Sequence, residues 1–79
     1  MISAQEAFVI ASRASPDELA PKAFYCGDSW VFECKDTEAA DSWPAVVNKE
    51  DGRCYSMGMK KSFEFWQKID SFKSVEVSE

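Results

Sequence analysis

Histidine is absent from all 79 residues of this chain. The commonest general base is therefore missing, and a Ser-His-Asp or Cys-His arrangement is excluded. Glycine is scarce. Gly27, Gly52 and Gly58 stand alone in the sequence, so there is no glycine-rich loop to cradle a phosphate. The three cysteines, Cys26, Cys34 and Cys54, form no C-x-x-C and have no histidine to complete a zinc set. Their odd number argues against a fully paired disulfide framework. Basic residues are outnumbered, nine Lys and Arg against 14 Asp and Glu for a net charge of −5, and Lys60-Lys61 is the only adjacent basic pair. Nucleic acid and anionic membrane surfaces are thus disfavoured as partners. No apolar run approaches the ~20 residues of a membrane span, and Met1 to Glu6 lacks the basic and apolar regions of a signal peptide. These absences lead us to expect a reduced, cytoplasmic protein with no metal and no cofactor.

What is present is apolar and aromatic. Hydrophobic residues make up 46% of the chain and aromatics 14%, including three Trp and six Phe. Such a composition supports an ordered core rather than disorder. One small domain spanning 1–79 is expected, burying about 60% of the surface of its unfolded chain. Ser3-Ala4-Gln5-Glu6 matches a capping box behind Ile2, and Ala4, Ala7, Phe8, Ala11 and Ala14 follow at helical spacing. Alanines on the inward stripe let this helix lie close against a sheet, and Ser15-Pro16 ends it. Val9 falls off the stripe, either exposed or touching a second element. A short helical turn is possible over 16–19.

Strands are expected at Ala23–Cys26 and Ser29–Lys35, joined through Gly27-Asp28, with Trp30, Phe32 and Cys34 sharing the core face of the second. Trp43-Pro44 opens a hairpin: Val46 and Val47 are β-branched, Asn48 to Gly52 supplies turn residues, and Arg53 to Met57 alternates again. Ser62 reads as the N-cap of a second helix with Glu64 in its first turn and Phe65, Trp66, Ile69 and Phe72 on its buried side. Ser74 to Glu79 reads as a small edge strand or a frayed tail, the tail preferred. The expected fold is α+β: one antiparallel sheet of four strands, packed on one face by an N-terminal and a C-terminal helix.

Few residues invite a chemical role. Asp36, Glu38 and Asp41 share one loop, but D-x-E-x-x-D lacks the glycine and terminal glutamate of a calcium-binding EF-hand, so a solvated acidic loop is expected. The cysteines fall on strands, where cysteine packs as a small hydrophobe, and Arg53 beside Cys54 points to the opposite face. Asp51-Gly52-Arg53 closes the hairpin. Trp43, Tyr55, Met57 and Met59 belong to residue types enriched at protein interfaces, and the hairpin could present them on one rim; packing beneath the second helix is the competing expectation.

Three stretches carry a family resemblance. Met1-Ile2-Ser3 through Glu6-Ala7-Phe8, the strand Ser29-Trp30-Val31-Phe32, and above all Pro44 to Gly58 (P-A-V-V-N-K-E-D-G-R-C-Y-S-M-G) make the chain similar to bacterial YrhB-like proteins, grouped with immunity proteins of polymorphic toxin systems. Their pattern is a G-W-V/Y-F strand, then proline, an apolar pair, D-K/R-x-S/T-G, an alternating strand and L-G. Here Ser29 replaces the usual glycine, Asn48 the usual Asp, and the segment between Lys35 and Trp43 is shorter. The resemblance implies a non-enzymatic α+β domain that neutralises a toxin or holds other proteins in a chaperone-like way, with no catalytic residues to transfer. The alternative is a structural or regulatory homo-oligomer with Trp43 and Met59 at a subunit interface. A small enzyme is the third and weakest alternative.

Overall fold

The computed structural model describes residues 1–35 and 43–78. The expected acidic-loop residues Asp36, Glu38 and Asp41 lie outside these. Helix α1 (Ala4–Ala14) is followed by strands β1 (Lys22–Cys26), β2 (Ser29–Phe32), β3 (Ala45–Asn48) and β4 (Cys54–Ser56), helix α2 (Met59–Gln67), a 3-10 turn (Ile69–Ser71) and strand β5 (Lys73–Glu76). The fold is α+β with a single antiparallel sheet in the order β4-β3-β2-β1-β5.

The capping box forms. Glu6 N–H donates to Ser3 Oγ at 3.2 Å while the Ser3 N–H reaches Glu6 Oε1 at 3.5 Å, and Ser15, in extended backbone, closes the helix. Ala7 and Ala11 are fully buried, so α1 lies close on the sheet as its small side chains allow. Its core partners are Phe32, Leu19, Ala23, Cys34, Ala45 and Val47, and the Phe8 ring tilts against Phe32 at 5.6 Å. The 16–19 segment is not a helical turn. Leu19 instead bridges to Cys34, which extends the β2 side of the sheet past Phe32.

Two expectations about the sheet are corrected. Among the described residues it has five strands, because Lys73–Glu76 pairs with β1 (Ala23 opposite Val75) rather than fraying. The helices also lie on opposite faces. Phe24, Val31 and Val46 alternate away from α1 and meet Phe65 of α2, with Met57, Ile69 and Phe72 around them. The Phe24 ring stands edge-on to Phe65 at 5.4 Å, and Phe72 stacks on Phe65 at 5.4 Å. A strand apolar on both faces belongs to a sheet covered on both sides, and W-V-F and A-V-V are such runs.

Helix α2 also starts earlier than expected. Gly58 is its N-cap, and Ser62 sits inside the helix, fully buried, with its hydroxyl 3.5 Å from the Met57 carbonyl. Glu64 consequently lies mid-helix. A serine fits here because it is small enough for close helix–sheet approach and bonds its own hydroxyl locally.

The turn ends of both hairpins are tied to the N-terminus through Lys49. This lysine is only 4% exposed. Its ammonium lies 2.8 Å from the Tyr25 ring centre and 4.4 Å from that of Trp30, and donates to the Gly27 carbonyl at 3.1 Å. Its backbone N–H donates to Asp28 O, and its carbonyl accepts from Ile2 N–H at 2.7 Å. Trp30 Nε1 donates to Ile2 O at 3.1 Å. Gly52 completes the junction: its φ is +73°, and a Cβ there would meet Ile2 Cδ1 at 2.8 Å. The left-handed φ is what favours glycine here, since the Ile2 methyl is the far end of a side chain and can move aside.

Candidate protein-contact surface

Helix α2 has two apolar stripes. Ser62 and Phe65 point into the sheet, whereas Met59, Phe63 and Trp66, spaced four and three residues apart, share a second side. That second stripe faces solvent: Met59 is 60% exposed, Phe63 52% and Trp66 37%. Phe63 stands against Trp66 at 5.8 Å between ring centres, and Trp66 stacks on Trp43 at 6.2 Å. Trp43, half-buried just ahead of β3, therefore carries the aromatic surface from the helix to the end of the sheet. There it borders a recess of about 90 Å³ together with Tyr55, Cys54 and Ser56 of β4 and Pro16. Tyr55 is 56% exposed.

Of the four residues singled out from the sequence, Trp43 and Tyr55 thus border one recess, and Met59 begins the helical stripe that reaches them. Met57 shares the sheet face of Tyr55, lining a second recess with it, and is half-buried against Phe24, Val31, Val46 and Phe65. Phe63 and Trp66 were missed as surface residues. The sequence places Trp66 on the buried side of a helix beginning at Ser62, whereas the helix runs from Met59 to Gln67 and leaves Trp66 exposed. Trp66 follows Phe65 by one residue and so lies about 100° round the helix from it, and it is Phe65, with Ile69 and Phe72, that takes the sheet side. The spacing Met59-Phe63-Trp66 was the available signal.

The thiols are shielded. Burial pushes Cys26 up to about 11, against a smaller opposing pull from the Lys49 ammonium, and burial raises Cys54 as well. Cys34 is buried with Sγ 3.5 Å from the Trp43 carbonyl. No disulfide links these three. Among the described residues, no group of three His, Cys, Asp or Glu is placed to hold a metal ion. A depression of about 590 Å³ runs beside α1 and is lined by Gln5, Phe8, Val9, Arg13, Asp17 and Leu19 among others. Exposed Val9 is part of its wall. Its one neighbouring hydroxyl with a defined bond, Ser15 Oγ, accepts from Asp17 N–H, an ordinary turn contact. Among the described residues, no helix is long and apolar enough to cross a membrane.

The chain matches no family model, no curated protein and no solved structure.

Proposed function

We propose that this chain is a non-enzymatic protein-binding module that works in the cytoplasm, of the immunity or chaperone-like kind implied by its resemblance to YrhB-like proteins. The observation that carries this reading is the exposed stripe of Met59, Phe63 and Trp66, stacked on half-buried Trp43, which borders one recess with exposed Tyr55. Aromatic and methionine side chains supply most of the binding energy where proteins meet, because each removes a large apolar area from water. A chain with a net charge of −5 also gains electrostatic attraction to a basic protein partner.

The test is capture of the product of a neighbouring toxin gene by the intact chain, together with protection of cells expressing that toxin. Phe63→Asp or Trp66→Asp should lower capture at least tenfold while the circular dichroism spectrum is retained. Recovery of nothing, with no protection, rejects the immunity reading. Capture of unfolded clients without protection moves the function to the chaperone-like alternative.

A further inference from the structure

We propose that two copies of this chain associate through β4 into a two-fold dimer with Tyr55 at the axis, joining the two sheets edge to edge. Strand β4 ends the sheet, and among the described residues only one of its sides is used. Asn48 N–H donates to Arg53 O at 2.9 Å and Met57 N–H to Pro44 O at 2.8 Å. The ladder to β3 therefore runs through Arg53, Tyr55 and Met57, and the alternation of an antiparallel strand turns the N–H and C=O groups of Cys54 and Ser56 outward. The opposite edge, β5, defends itself with exposed Lys73 and Glu76. The three residues of β4 carry no charge, exposed Arg53 directly precedes them, and the exposed aromatic surface flanks them.

Charge selects both the occupant and its direction. Exposed Glu50 and Asp51 lie in the turn before β4, and exposed Lys60 and Lys61 lie just after it. An antiparallel second copy lays the acidic turn of each chain beside the basic start of α2 in the other, whereas a parallel copy sets like against like. With Tyr55 opposite Tyr55 of the second copy, Cys54 faces Ser56 of the second copy on each side of the axis. The outward N–H and C=O groups then form two hydrogen-bonded pairs. An isologous interface needs one patch complementary to itself, and this edge has that property in its hydrogen bonds, charges and aromatic residue alike.

Sedimentation of the intact chain over a range of concentrations should give twice the 8.9 kDa chain mass. Tyr55→Lys places like charges at the axis and should give a monomer. Lys60→Glu with Lys61→Glu should weaken association about tenfold or more, and adding Glu50→Lys with Asp51→Lys to the same chain should restore it. Non-hydrogen-bonded residues facing each other in an antiparallel pair have Cα atoms about 4.5 Å apart, within disulfide range. Tyr55→Cys in a Cys54→Ser background should therefore cross-link on mild oxidation, and Ser74→Cys on the other edge should not. A mass of 8.9 kDa at every concentration overturns the proposal, as does a dimer unaffected by both the Tyr55 and the charge-reversal variants. None of these measurements uses a second protein, so a monomer that still captures a toxin leaves the binding-module reading intact.

Discussion

Lys49 shows how a single charged side chain organises this molecule. A buried ammonium is costly unless its positive charge finds compensating groups. Here the Tyr25 and Trp30 rings offer their negative faces and Gly27 its carbonyl. Lys49→Met keeps length and apolar bulk but removes the charge, so it should destabilise the fold by about 2 kcal/mol, read from urea unfolding. An unchanged midpoint would mean that the stem alone matters. Cys26 makes a second prediction. Its folded pKa of about 11 exceeds the ordinary 9.0, so the unfolded chain loses this proton first as pH rises. The associated stability is complete below pH 9 and is lost as pH climbs toward 11. The unfolding midpoint should fall over that window, and fall less in Cys26→Ala.

At the scale of elements, β5 depends on a few specific bonds. Val77 N–H donates to Pro21 O, so the ladder side of β5 contains Lys73, Val75 and Val77. Gln5 of α1 then holds the following residue with both ends of its amide, donating to Ser78 O and accepting from Ser78 N–H. Val75→Pro removes an inward N–H and should lower the unfolding midpoint by at least the ~1 kcal/mol of a lost hydrogen bond, whereas Ser74→Ala should be nearly silent. Hydrogen exchange should show the β1 edge opening in the proline variant. The short S-V-E-V-S stretch has the alternation of a strand, but nothing local names its partner. Its pairing depends on the 3-10 turn at Ile69–Ser71, which reverses the chain after α2. The start of α2 was misplaced for a related reason: Ser62 is a good N-cap by type, and burial against the sheet gave its hydroxyl another use.

For the whole molecule, the sheet separates two small cores, one under α1 and one under α2. A domain of this size has net stability of about 4–12 kcal/mol, while removing a buried phenylalanine ring costs about 3–5 kcal/mol. Phe8→Ala and Phe65→Ala should each remove much of the total, although they lie on opposite faces. Because β1, β2 and β3 contribute side chains to both cores, near- and far-ultraviolet dichroism should report one coincident transition in the parent chain. Separate transitions would show that each face unfolds alone. The same architecture explains the exposed aromatics: α2 uses one stripe for the sheet, and its other stripe meets Trp43 through Trp66 while Met59 and Phe63 stay exposed.

By itself the sequence determined what depends on neighbours a few residues away. The capping box at Ser3, the stop at Ser15-Pro16, the reversals at Gly27 and Gly52 and the alternation in β2 follow from backbone sterics and short-range bonds. The same holds for the absence of histidine and what that excludes. Tertiary structure alone decided which face α2 covers, that Lys73–Glu76 joins β1, that Lys49 is enclosed by aromatic rings and that Trp43 meets Trp66. Each of these brings together groups far apart along the chain. Periods of 2 and 3.6 residues say which side chains share a face, but they do not say what that face will meet.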